Sequence, residues 1–182
     1  CYEAGITVTS LPGACACITA LTMSGQPTRR FAFEAFLPYD KKERAQILEN
    51  LRNETRTIII YEAPHHLKKT LKECREYLGN RNMTVCKELT KRYEQKRKST
   101  LDEMIAYYED NEPRGEYVLI FEGKSLKELK EEKQQEWNQL TVQEHMEHYL
   151  EKGMDKKSAM KQVAKDRGVS KRDIYQELLQ SN

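Results

Sequence analysis

No two glycines in this sequence are separated by a single residue, and neither a serine-centred elbow nor a helix carrying paired metal ligands can be found. The first absence excludes the G-x-G loop on which dinucleotide and many phosphate sites are built. The other two leave no serine-nucleophile or metal-dependent chemistry to read. Cysteines number 5, an odd count without a C-x-x-C pair. Cys15 and Cys17 fall in an apolar helical pattern and Cys86 in a strand-like run, so free buried thiols are expected rather than disulfides or zinc ligands. No signal peptide and no long apolar span are present, which argues for a cytoplasmic protein and against a membrane partner. Aromatics other than the 10 tyrosines are scarce, with 4 Phe and 1 Trp. The net charge is only +2, so nucleic-acid binding cannot be read from the total and must be sought in the local distribution.

What is present is concentrated in the first two thirds of the 182 residues, where the apolar residues gather. The chain opens on Cys1, and "CYEAGITVTSLPG" reads as the tail of a helix closed by Gly5 and running into a strand over 6–11, as if a segment preceded it. "ACACITALTMS" (14–24) reads as a closely packed helix, and "PTRRFAFEAFLP" (27–38) as an extended aromatic connection. Asp40 with Glu43 signals a helix start, followed by a strand over 56–61, a helix over 65–78 and a strand over 83–88. Ser99 with Asp102 announces a helix to about 109, and "PRGEYVLIFEG" (113–123) holds the last strand. Strands alternating with helices predict an α/β fold, a mixed sheet flanked by helices, over residues 1–123. The charged stretch 124–138 reads as a linker, and 139–182 as a small all-helical appendage.

The chemistry-bearing residues cluster at strand boundaries. In "IIIYEAPHHL" an apolar strand stops at Tyr61-Glu62-Ala63, followed by Pro64, His65 and His66. Strand tips of this kind face ligand crevices in α/β proteins, and a small alanine beside proline exposes backbone able to read an adenine edge. The same residues also suit a plain helix start, with Pro64 at the first helical position and Glu62 near its positive end. His65 and His66, adjacent on a helix, point about 100° apart and make no metal chelate. A second cluster, Lys87, Glu88, Thr90 and Lys91, ends the next strand. A third, Arg114-Gly115-Glu116, enters the last one.

"EAGITVTSLPGACACITALTMSGQPTRRFAFEAFLP", "IIIYEAPHHL", "CKELTKRYE" and "PRGEYVLIFEG" resemble, in order and spacing, the second half of the ribosomal RNA small subunit methyltransferase I family, which has the tetrapyrrole-methylase-like fold. The resemblance covers residues 1 to about 123, and the helical tail looks like that family's C-terminal extension. It implies methyl transfer from S-adenosylmethionine to the 2′-hydroxyl of a cytidine in small-subunit (16S) ribosomal RNA. It also implies a homodimer, the 30S ribosomal subunit as partner, and a cofactor held between this domain and an N-terminal domain of the same protein. The positions matching its cofactor wall are Pro12, Gly13, Tyr61, Glu62, Ala63, Glu88, Leu89, Thr90, Gly115 and Glu116. Glu62 and Glu88 are the candidate bases, with Lys87 and Lys91 steering phosphate. Two departures stand out: Ala14-Cys15 where the family commonly has Pro-Ser, and His66 where it often carries arginine. Because the family's glycine-rich motifs belong to the preceding domain, this chain alone is expected to be inactive.

The tail carries its own signal. "SAMKQVAKDRGVSKRDIYQELL" sets Ala164 four residues before Gly168 between two helices, spacing that suits a helix-turn-helix. From Lys152 to Arg172, eight cations, among them Lys157, Lys161, Lys165, Lys171 and Arg172, face only Asp155 and Asp166. That local excess fits a grip on RNA backbone, and equally a solvated helical bundle. Two other readings remain for the whole: a tetrapyrrole-type small-molecule methylase, or a non-enzymatic nucleic-acid-binding module built on the tail.

Overall fold

The computed structural model describes residues 1–180, which form two compact units, 1–124 and 125–180. In the first, a five-stranded sheet comprises β1 (Phe31–Phe36), β2 (Thr57–Glu62), β3 (Asn82–Lys87), β4 (Gln95–Thr100) and β5 (Tyr117–Phe121), in the order β1-β2-β5-β3-β4. Only β1 and β2 run parallel; β5 is antiparallel to both β2 and β3, and β4 to β3. The three central strands are nearly continuous apolar runs because both of their faces are covered. One face carries α2 (Lys41–Leu51), α3 (Pro64–Leu78) and α4 (Leu101–Asp110), whose leucines enclose Ile58, Ile60, Val85, Leu119 and Phe121. The other carries α1 (Ala16–Ser24), with Cys17, Ala20 and Leu21 against Ile59, Cys86, Val118 and Ile120. Successive strand residues thus divide between two cores, as the period of two requires.

Local chemistry sets the helix ends. The Asp40 carboxylate accepts from the Lys42 and Glu43 amides at 3.0 and 2.9 Å to start α2. Pro64 opens α3 at its first turn. The start of α4 falls one residue later than the sequence predicts: Thr100 and Glu103 form the capping box, because Ser99 is still paired with Met83 in the β3–β4 ladder. At the far end of the sheet Arg81 donates to four carbonyls, those of Leu78 (3.0 Å), Glu54 (3.3 Å), Glu122 (3.3 Å) and Arg52 (2.5 Å).

The strands differ from the sequence reading at three places. The predicted strand over 6–11 does not form; after a turn closed at Gly5, residues 6–15 are exposed and without regular structure. Its alternating Ile6 and Val8 have the pattern of a strand, but a strand needs a neighbour for its backbone groups. The "connection" 27–38 contains β1, which bulges between Phe33 and Phe36 where Ala35 takes φ 51°. β4, QKRKST, has no apolar alternation at all and is a strand through its residue-by-residue pairing with β3.

The second unit contains α5 (Leu126–Asn138), α6 (Val142–Glu151), α7 (Lys156–Arg167) and α8 (Lys171–Gln180). Ser125, Thr141 and Asp155 cap the first three through side-chain oxygens. Ser170 and Asp173 bond reciprocally at the start of α8. Val142, Met146, Met160, Val163 and Ile174 form the core. The stretch expected as a linker is α5 and packs within this unit. Its Trp137 stacks on buried His145 at 3.9 Å and 4°, and its Gln134 donates to the Arg167 carbonyl at 2.5 Å. Gln134 lies over Gly168, where φ is 67° and a Cβ would sit 2.5 Å from the Gln134 side-chain nitrogen, so any other residue at the turn between α7 and α8 would be strained and would displace Gln134. Among the described residues no helix is long and apolar enough to cross a membrane.

Candidate functional site

The three polar clusters meet at one end of the sheet. Tyr117, the first residue of β5, is the register partner of both Glu62, the last of β2, and Lys87, the last of β3. The tips at 61–63 and 87–90 therefore flank the entry at 115–117, side by side.

At the β2 tip, Tyr61 is sandwiched edge-on by Phe33 and Phe36, with centroids at 4.9 and 5.6 Å. Its hydroxyl accepts from the Cys17 amide at 2.9 Å, supplying the N-terminal partner that the α1 N-cap Cys15 does not. Burial pushes its pKa up. Pro12 and Gly13 lie exposed a few residues before this anchor.

Glu62 is only 5% exposed. One oxygen accepts from the Ala63 amide at 2.8 Å. The other accepts from the Thr70 hydroxyl, which in turn accepts from Arg44 Nη2 at 2.6 Å. The same Arg44 nitrogen stands 3.8 Å from Glu62, and Arg44 Nε reaches Glu73 at 2.5 Å. Each oxygen of Glu62 therefore has a protein partner, so this carboxylate braces the strand tip. Beside it a cavity of about 220 Å³ is lined by Phe36, Leu37, Pro38, Tyr39, Arg44, Glu62, Ala63, His66 and Lys69.

The β3 tip and the β5 entry interlock. Glu88 and Thr90 adopt φ 51° and 63°, a left-handed backbone that turns the chain sharply after the strand. Glu88 donates its amide to the Glu116 carbonyl at 3.0 Å, and the Glu116 amide donates to Glu88 Oε1 at 2.8 Å. Lys91 Nζ bridges Glu88 at 3.1 Å and Glu116 at 2.9 Å. The Glu116 amide, then Lys91, hold the Glu88 carboxyl below its ordinary pKa. Gly115 permits this closure: with φ 84°, a Cβ there would lie 2.6 Å from Glu88 Cγ and Oε1. Leu89 is partly buried against the α1-side core, and Lys87 is half-buried at its strand end.

In the helical unit Lys157, Lys161 and Lys165 are exposed at intervals of four along α7, and Lys171 and Arg172 are exposed at the start of α8. Arg167, counted in the sequence among the basic tail residues, is buried: Nε donates to His145 Nδ1 at 3.2 Å and Nη2 to the Leu140 carbonyl at 2.5 Å. Sequence reasoning missed Arg44, Thr70 and Tyr39. Arg44 lies on a helical face, eighteen residues from Glu62, and nothing local in the sequence links the two.

A sheet that gathers three polar loops at one end offers a place for a ligand, and the comparisons with known proteins give the class. The family model for tetrapyrrole (corrin/porphyrin) methylases matches residues 1–105, and the chain belongs to this family. The methyltransferase CobJ resembles it in fold at a TM-score of 0.52 and 16% identity, over 67% of this chain and 53% of that one. Cobalt precorrin-4 methyltransferase CbiF does so at 0.50 and 17%, over 66% and 54%. In sequence it is similar to ribosomal RNA small subunit methyltransferase I of Halalkalibacterium halodurans, 47% identical over 94% of this chain and 58% of the relative. The Bacillus subtilis protein of that name is 45% identical over 95% and 59%, and the Synechocystis one 39% over 97% and 62%. The chain thus spans about three fifths of the length of these relatives.

Proposed function

We propose that this chain is the C-terminal part of an S-adenosylmethionine-dependent methyltransferase acting on small-subunit ribosomal RNA, with the 2′-hydroxyl of a cytidine as acceptor. The observation that carries the reading is the shared register of Glu62, Tyr117 and Lys87, which makes one continuous edge of the residues matched to the cofactor wall.

The residues fit half of a site for that cofactor. Ala63 leaves the β2 tip open beside the aromatic group of Tyr61, Phe33 and Phe36, a surface for an adenine ring. Carboxylates Glu88 and Glu116 favour a nearby cation. The cofactor, when bound, supplies an activated methyl on a sulfonium. The remaining work is positioning and proton removal. Glu62, with both oxygens engaged, holds the tip; Glu88, bound by the Glu116 amide and Lys91 through Oε1 alone, is the residue to take the hydroxyl proton. Lys87 and Lys91 steer the phosphate backbone, as Lys157, Lys161, Lys165, Lys171 and Arg172 do on the tail. Pro12 and Gly13 complete the wall once the preceding N-terminal domain is present. This chain by itself is inactive, and the whole protein is a cytoplasmic homodimer.

The test is titration of S-adenosylhomocysteine into the full-length protein and its Ala63→Trp variant. Lost affinity is expected; equal affinity removes the β2 tip from the site. Single-turnover methylation of 30S subunits by Glu88→Gln at saturating cofactor then separates base from brace, with a large rate loss expected.

A further inference from the structure

The outward face of α8 has a composition that phosphate contacts alone do not require. At 100° per residue, Lys171, Tyr175, Leu179, Arg172 and Gln176 occupy one arc of about 140°. Ile174 is buried and Leu178 partly buried in the core on the inward side. The acidic Asp173 and Glu177 fall on the far flank, and Asp173 is occupied with Ser170. Within the arc, Tyr175 is 54% and Leu179 59% exposed. Apolar side chains exposed singly are ordinary. An aromatic ring one turn from a leucine, bordered by two cations and cleared of acids, is an arranged surface.

We propose that this face is a stacking platform for unpaired bases of an RNA strand, with Tyr175 the ring on which a base lies, Leu179 extending the apolar surface, and Lys171 and Arg172 pairing the flanking phosphates. The proposal deepens the RNA-binding reading of the tail and rests on it. A-form duplex closes its major groove to a helix, whereas single strands offer π-faces to aromatic side chains. Such stacking tolerates any base and adds to the electrostatic attraction. The exposed lysines of α7 supply further charge within the same unit.

The experiment uses the whole 182-residue chain, a fluorescein-labelled unstructured oligouridylate and an RNA duplex of equal charge, with anisotropy read over a salt series. Tyr175→Ala should weaken binding to the single strand by roughly 5- to 150-fold, leave the duplex unaffected and keep the salt slope. Tyr175→Phe should bind as the unaltered chain does, and Lys171→Ala should lower the slope by about 0.7. Fluorescence of Trp137 controls for folding. Equal single-strand affinity for Tyr175→Ala overturns the platform while the RNA reading of the tail stands on its salt dependence. No binding of either RNA removes both. Self-association in sedimentation that Tyr175→Ala abolishes, without effect on RNA, overturns the platform in favour of a contact between copies of the chain.

Discussion

Replacing Arg44 with methionine isolates the brace beneath the β2 tip. Both ion-pair members are nearly out of solvent, with side-chain exposures of 11% for Arg44 and 6% for Glu62. Methionine keeps the apolar stem and removes the charge, leaving Glu62 with only Thr70 and the Ala63 amide and Glu73 with Lys69. Breaking a buried pair by removing one partner costs about 3–5 kcal/mol. A unit of this size has a total stability of roughly 6–19 kcal/mol, so the loss is a large fraction. Adding Glu62→Gln removes the stranded charge and should return about 1–3 kcal/mol. The assay is urea denaturation of the whole chain followed by two probes. Far-UV circular dichroism reports both units. Trp137, the single tryptophan, reports only the helical unit. Arg44→Met should shift the first transition and leave the tryptophan transition in place. If Arg44→Met and the double variant unfold together, or the single change costs under about 1 kcal/mol, the pairing of Arg44 with Glu62 adds little to the fold and the brace argument fails.

Three further outcomes follow from the geometry. Burial, then the Arg167 charge, lower the pKa of His145, whose Nδ1 accepts from Arg167; Asp166 at 3.5 Å and His148 also face it. A histidine held neutral in the folded state keeps its full stabilising effect above its unfolded value of 6.5 and loses it as pH falls below. Trp137 emission should therefore report loosening of the helical unit in mild acid, and an unchanged midpoint from pH 7.5 to 5 would contradict this. Ala35→Gly should raise stability by about 0.5–1 kcal/mol, since a left-handed alanine costs about 1–2 and glycine returns part of that through its own entropy; thermal denaturation decides. Gly115→Ala in the full-length protein should weaken S-adenosylhomocysteine binding about tenfold or more, the worth of roughly one hydrogen bond, by driving Glu88 off the Glu116 amide; calorimetry that finds no change separates this loop from the site.

The buried elements were legible in the sequence because their signals are local. The runs at 57–62 and 117–121 are apolar on both faces, and Asp40, Thr141 and Ser170 mark helix starts by their own oxygens. The edge strands were not, since β1 and β4 are defined by what they pair with. The same reasoning explains the reverse error at 6–11, where alternation without a partner forms no strand. The site was legible as three clusters, but their convergence depends on the antiparallel insertion of β5 between β2 and β3. Arg44, Thr70 and the interlock of Gly115 with Glu88 are contacts across elements, invisible to spacing.

Arg81 collects carbonyls from the end of α3, the approaches to β2 and the exit of β5. That knot lies opposite the edge where the three loops gather, so the layers are fastened at the end away from the candidate site. Loops at the other end can lengthen, shorten or exchange residues without undoing the fastening.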